Sequence, residues 1–306
     1  MLHVTNGQAT LQGFRAGNIP GACLAWEDPL HDGPVVAAPS LEALSRVRAQ
    51  VLAGFGWGSL DVLDREFVER DRALARFRDH DETVLWFEHD LYDQLQLIQL
   101  LEWFSGHDLG GLRLSIIQIG EHPSAGSEHS FSAANSATTR PFYGLGQLGG
   151  GQLAALLPTR VPITAEHFEA GRQAWRAFCA PEPMALVDLA GATLPAMPYL
   201  ASALRRLLEE YFSVTNGLSR IEQQLLESAA CICSEQRCAG DGSTAKGRSR
   251  CAHRITRNVD ACGILRMPRA HVPREFPRRH GTVVCGRFRG PDTRSAQRVG
   301  VDPAWP

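Results

Sequence analysis

The chain predicts an α/β fold: a mostly parallel, open sheet of about four strands with helices on both faces, followed by an α-helical layer. Three observations carry that prediction. Short apolar runs suited to buried strands recur through the first 120 residues, each ending in turn-forming residues. Segments of helical periodicity lie between them, as parallel crossovers require. Polar and ionisable residues gather just after the runs, at the edge where open sheets of this type place their ligand sites.

Leu2 to Thr5 reads as the first strand, ending at Asn6-Gly7, and Gln8 to Ala16 as a short helix closed by Gly17. A second strand, Ala22 to Trp26, runs into Glu27-Asp28-Pro29-Leu30-His31-Asp32-Gly33-Pro34, a loop dense in turn formers. Ser40 is the expected N-cap of the next helix, with Ala43 where a capping-box Glu would stand. Leu60 to Arg78 places Leu63, Phe67, Leu74 and Phe77 on one apolar side of a further helix. The third strand, Val84 to Phe87, breaks into Glu88-His89-Asp90, after which Leu91, Leu95, Ile98 and Leu101 mark a helix to Phe104. Leu112 to Ile119 is the fourth strand, ending at Gly120-Glu121. Right-handed crossovers then bring all four strand ends to one edge.

Domain organisation follows from composition. Residues 1–125 form the α/β domain, and 126–142 lack periodicity and read as a flexible loop. Residues 143–213 are helical, with helices over 147–157, 165–179, 183–189 and 199–211. Residues 214–230 open a new helix, with Ser219 and Glu222 in capping-box spacing. Residues 231–306 lose all periodicity and read as an aberrant, disordered basic tail, with a nucleic-acid-binding arm as an alternative. Their wealth of Arg, Pro, Gly and Cys matches out-of-frame translation of a GC-rich gene. An amphipathic continuation in another frame near codon 230 is the expected finding, and its absence from the coding DNA rejects that reading.

Charge divides at the same point. Residues 1–230 hold 16 Arg, no Lys and 27 acidic residues, a balance of −11, whereas residues 231–306 hold 15 basic and 6 acidic residues, a balance of +9. The acidic balance argues against nucleic acid as a partner of residues 1–230, because phosphates need a basic face. Neither a secretory leader nor an apolar run long enough to span a bilayer is visible, so a cytoplasmic location is expected, with no membrane partner. The tail cysteines match no paired C-x-x-C zinc ribbon.

Two clusters carry the chemistry. Glu88 and His89, beside Asp90 and Asp93, stand at a strand's carboxyl end and a helix's amino end. An imidazole near a carboxylate suits a general base or a metal ligand, while Asp90 also suits a helix N-cap. In the second cluster, Asp28, His31 and Asp32 are held in a loop that Pro29 and Pro34 stiffen and in which Gly33 permits unusual backbone angles. Were Asp28 and His31 to meet Glu88 and His89, the set would suit a divalent metal and metal-assisted hydrolysis. Thr5, Asn6 and Gly7 could wrap an anion with backbone N–H groups as the first helix begins, and Glu121 ends the fourth strand beside them. Gly144-Leu-Gly-Gln-Leu-Gly149 has the spacing of a dinucleotide fingerprint, but no strand precedes it, so these glycines are expected only to shape the start of the next helix. Trp26 and Trp86 are expected in the core.

The segments His3-Val-Thr-Asn-Gly7, Trp26-Glu-Asp-Pro-Leu-His-Asp-Gly-Pro34 and Leu85-Trp-Phe-Glu-His-Asp-Leu-Tyr-Asp-Gln-Leu-Gln-Leu97 together resemble the bacterial domain of unknown function family 1835. The resemblance covers residues 2–125 most closely and extends to about residue 228. It implies the same α/β neighbourhood and a carboxyl-terminal helix-turn-helix-like segment opening at Asn216-Gly-Leu-Ser-Arg-Ile-Glu222, cut short here by the tail. It implies no activity. Three function classes follow. One is an α/β ligand-binding or hydrolase-like domain acting on a small molecule, phosphorylated or a nucleotide. Another is a small-molecule-sensing transcriptional regulator whose helix-turn-helix is damaged in this chain. The third is a non-catalytic structural domain. The first is the leading expectation.

Overall fold

The computed structural model describes residues 1–123, 142 and 144–229. The expected loop over 126–142 and the basic tail over 231–306 lie outside the described residues, apart from Phe142.

Alternation of side chains along the strands builds two cores from one sheet. The chain runs β1 (Leu2–Thr5), α1 (Gln8–Ala16), β2 (Ala22–Ala25), α2 (Leu41–Gly54), α3 (Leu60–Ala75), β3 (Glu82–Glu88), α4 (Leu91–Ser105) and β4 (Arg113–Ile119). It continues through α5 (Gly150–Leu156), β5 (Val161–Pro162), α6 (Ala165–Phe178), α7 (Met184–Gly191) and α8 (Leu200–Leu208). The strands are ordered β2-β1-β3-β4-β5. The first four are parallel, so their carboxyl ends share one edge.

Leu2, Val4, Leu85, Phe87, Leu114 and Ile116 face one side, where they meet α4, α6, α7 and α8. Val84, Trp86, Ile117 and Ile119 face the other, against Leu11 and Phe14 of α1 and Leu153 of α5. β3 is buried along its whole length because both faces and both edges are covered. Within 144–213, α6, α7 and α8 form a helical layer on the first face, where α4, itself largely buried, packs on both α6 and α8. The expected single layer is corrected by α5, which covers the other face beside α1, and by β5, which joins the sheet.

The expected four strands become five. The extra strand, β5, has two residues and pairs antiparallel with β4 through Ser115–Pro162 and Ile116–Val161. A proline can occupy such an edge strand because its missing N–H faces away from the ladder. Side chains do the work that two ladder pairs cannot. Arg160 donates through Nε to Glu82 Oε1 at 2.8 Å, and Ser115 Oγ donates to the same oxygen at 2.7 Å. Arg160 holds the Glu82 carboxyl below the usual carboxylate range. A strand fixed by a distant glutamate leaves no periodic signal of its own.

Local rules decide the helix starts. Ser40 accepts the Ala43 N–H at 3.2 Å, and Asp90 accepts the Asp93 N–H at 2.9 Å. Residues 220–229 are helical, and the Ser219–Glu222 capping box forms: the Ser219 N–H donates to Glu222 Oε2 at 2.8 Å, and the Glu222 N–H donates to Ser219 Oγ at 3.3 Å. The expected helix Leu60–Arg78 stops at Ala75 and tightens into a 3-10 turn, Phe77–Asp79, before β3. Among the described residues, no helix is long and apolar enough to cross a membrane.

Candidate functional site at the sheet's switch point

From β1 the chain moves outward to β2, then returns to place β3 on the other side of β1. The helices that follow β1 and β3 therefore lie on opposite faces, and a crevice opens between the carboxyl ends of these two strands. Asn6 follows β1 directly, Glu88 ends β3, Asp90 is the N-cap of α4 and Asp93 lies in its first turn.

Asn6 links the group. Its Nδ2 donates to Asp93 Oδ1 at 2.7 Å and to Glu88 Oε1 at 3.3 Å. Its Oδ1 accepts from Thr10 Oγ1 at 3.3 Å and from Thr5 Oγ1 at 3.4 Å, which assigns the orientation of the amide. Asp93 Oδ2 accepts the Glu88 N–H at 2.6 Å, and Gln94 Nε2 donates to the Glu88 carbonyl at 2.5 Å. The turn from strand to helix is thus tied by its own side chains.

Burial pushes the Asp93 carboxyl well above its usual range, and the neighbouring Glu88 and Asp90 carboxylates push in the same direction. The hydrogen bonds that its carboxylate accepts, from Asn6 Nδ2 and the Glu88 N–H, come from neutral amide donors and offset only part of that cost. One ligand oxygen from each of Glu88, Asp90 and Asp93 lies within 4.8 Å of the others. All are hard oxygen donors, each carboxylate oxygen has a second lone pair, and Asp90 remains partly open to solvent. The set fits a magnesium, manganese or calcium ion better than a soft metal.

The segment 144–145 closes over this group. The Leu145 N–H donates a short hydrogen bond to Glu88 Oε1. A Cβ on Gly144 would stand 1.7 Å from Glu88 Oε2, and the residue adopts φ +154°. Only glycine lets the backbone approach so closely. The G-x-G-x-x-G spacing is thus no dinucleotide loop, yet its first glycine is a site residue that sequence reasoning passed over.

The structure divides the remaining expected residues. Asp28 does not join Glu88. It is fully buried and paired with Arg48, whose Nε donates to its Oδ1 at 2.9 Å. Arg48 also donates to the carbonyls of Pro29 at 2.9 Å, Asp32 at 2.8 Å and Pro34 at 3.3 Å, so one guanidinium holds the whole β2–α2 loop. Gly33 adopts φ +74°, and its missing Cβ leaves room for Val51 and Phe55; its role is to turn the loop. His31 does reach the site's rim, with its ring 6.0 Å from Tyr92. Burial lowers its basicity, while Asp32, Asp90 and Glu210 pull the other way. Tyr92 donates to the Asn6 carbonyl at 3.4 Å, and burial raises its phenol above the ordinary range.

The anion cradle expected at Thr5-Asn6-Gly7 is corrected by Glu27. Its carboxylate already accepts the Gln8 N–H at 3.0 Å and the Gln8 side chain at 3.4 Å, so a protein anion caps α1. Glu88 and His89 point to opposite faces, as strand alternation requires. Glu88 meets the α1 side, whereas His89 lies beside Phe142 and Tyr199 with ring centroids 6.3 and 6.1 Å away. Glu121 is exposed and does not join the group; its neighbour His122 stands 6.0 Å from Phe142 and 3.4 Å from Gln152 Nε2. Arg48, Tyr92 and Gly144 escaped sequence reading. Arg48 shares a helical face with Leu44 and Leu52, four residues to either side, and that spacing was the available signal.

Comparisons with known proteins find no match: no family model, no curated protein and no solved structure matches this chain.

Proposed function

We propose that the β1/β3 crevice is a divalent-cation site through which the protein binds a small phosphorylated molecule for hydrolysis-type chemistry. The observation that carries this reading is the convergence of Glu88, Asp90 and Asp93 within 4.8 Å, with Asp93 buried and its ionised form disfavoured. A cation relieves that repulsion and supplies the positive charge a phosphate needs. Direct capture of an anion is disfavoured here, since Glu27 occupies the start of α1 and three carboxylates face the crevice. The roles fall to this chain's own groups. Glu88, Asp90 and Asp93 hold the ion, Asn6 fixes two of these carboxylates, and His31, kept neutral by burial, accepts a proton from an attacking water.

The test is calorimetry and thermal unfolding of the full chain with Mn2+ and Mg2+. Specific binding at about 100 times the dissociation constant raises stability by about 2.7 kcal/mol. Asp90→Asn and Asp93→Asn should remove the shift while leaving the far-UV circular dichroism unchanged. A cation shift retained in both variants, or none in the wild type, defeats the proposal. The resemblance to family 1835 stands beside this reading as a proposal of its own, resting on the three quoted motifs.

A further inference from the structure

Beside the carboxylates, the ends of β3 and β4 carry a second group that reaches from the α8 side, at Tyr199, to the α1 and α5 side, at Phe142. The His89 ring lies nearly parallel to Phe142, with 29° between planes, and edge-on to Tyr199 at 68°. His122 stands edge-on to Phe142 at 82°. Four flat rings from separate segments thus adjoin the residue that follows Glu88. Tyr199 is seated on bare backbone: a Cβ at Gly120 would come within 2.6 Å of its Cε1.

Two buried polar atoms in this group lack any hydrogen-bond partner among the described residues, His89 Nδ1 and Gln118 Oε1. Gln118 belongs here because its Nε2 donates to the Ala196 carbonyl at 2.9 Å, three residues before Tyr199. It follows Ile116 by two positions and so shares the face that Phe87 and His89 occupy. A purely structural aromatic cluster has no use for such atoms, since an unmet buried acceptor is costly. Flat rings together with unmet ring-nitrogen and amide groups suit a planar partner with donors and acceptors on its rim.

We infer that His89, Phe142, Tyr199 and Gln118 bind the heteroaromatic base of a nucleotide whose phosphate is held through the cation at Glu88, Asp90 and Asp93. This rests on the cation-site reading and names its ligand class. Glu88 and His89 are adjacent in the chain and project to opposite faces, so one strand end serves both halves of such a ligand.

The experiment compares AMP, GMP, CMP and UMP with ribose 5-phosphate by calorimetry on the full chain, with Mn2+ present. At least one nucleotide should bind roughly 10-fold or more tightly than ribose 5-phosphate, the margin expected of base stacking. His89→Ala and Tyr199→Ala should erase that margin without changing Mn2+ affinity, and Tyr199→Phe should preserve it. Should Tyr199→Ala fail to fold, Gly120→Ala displaces the same ring and should shrink the margin. Equal binding of all five phosphates overturns the inference while leaving the cation site standing. If no phosphate binds with Mn2+, the four nucleosides are titrated without cation up to about 10 mM. Nucleoside binding that depends on Tyr199 upholds the base site and rejects the cation reading. No nucleoside binding rejects both.

Discussion

Replacing Arg48 with Met should cost more stability than any surface change in this protein. Its guanidinium is completely buried and donates to Asp28 and to three loop carbonyls at 2.8–3.3 Å. Methionine fills much of the volume but strands the Asp28 carboxylate, also fully buried, with one oxygen already lacking a partner among the described residues. Breaking a buried pair from one side costs about 3–5 kcal/mol. At about 2–4 °C per kcal/mol for a chain of this size, the melting point should fall by roughly 6–20 °C. Urea unfolding followed by circular dichroism gives the free energy directly. Burial pushes the Asp28 carboxyl up, and the Arg48 charge pulls against it. Without Arg48 the folded pKa rises further above the unfolded value, so the variant gains stability as pH falls through that window. The deficit should therefore shrink from pH 7 to pH 5. Adding Asp28→Asn to Arg48→Met should recover part of the loss, with a coupling above about 1 kcal/mol. Additive effects of the two changes, or an Arg48→Met cost below about 1 kcal/mol, would refute the clamp.

Further expectations concern the same crevice and its supports. Gly144→Ala must displace Glu88, because a Cβ would lie 1.7 Å from its Oε2; a loss of about 2 kcal/mol or more is expected, relieved only in part in Gly144→Ala/Glu88→Ala because the backbone strain at φ +154° remains, as read by thermal unfolding. Asp93 has a raised folded pKa, so the folded state takes up protons first, and the cation-free protein should gain stability as pH falls through that pKa; Asp93→Asn should flatten the rise in a pH series of urea midpoints. His3 behaves oppositely. Trp86 donates to its Nδ1 at 3.1 Å and its Nε2 meets the Pro20 carbonyl at 3.1 Å, so it is buried neutral with a lowered pKa. The unfolded chain then binds the proton first, stability is lost as pH drops below about 6.5, and His3→Gln should reduce that slope.

Much of the fold was legible because it depends on neighbours in sequence. The strand end at Thr5, the third strand's end to within one residue (Phe87 expected, Glu88 found), the caps at Ser40 and Asp90, and the Ser219–Glu222 box all follow from side chains within a few residues. The site was legible as a position: polar residues after strands 1 and 3 pointed to the edge that the strand order makes a crevice. Its membership was less so. Asp93 read as a dipole-favouring acid of the first turn, yet it also reaches back to the Glu88 N–H and across to Asn6. Asp28 looked like a ligand and proved to be the counter-charge of Arg48.

The sequence alone determined where strands and helices begin, which faces are apolar, and that acids and imidazoles collect at one edge, because backbone capping and hydrophobic alternation act over one to four residues. Tertiary structure decided the partners. Arg48 chose Asp28 across 20 positions, Glu82 recruited Arg160 across 78, and the Leu145 N–H met Glu88 across 57. Burial turns such encounters into strong preferences, because a charge removed from water must find whichever partner the packed chain brings near. No local pattern encodes that choice.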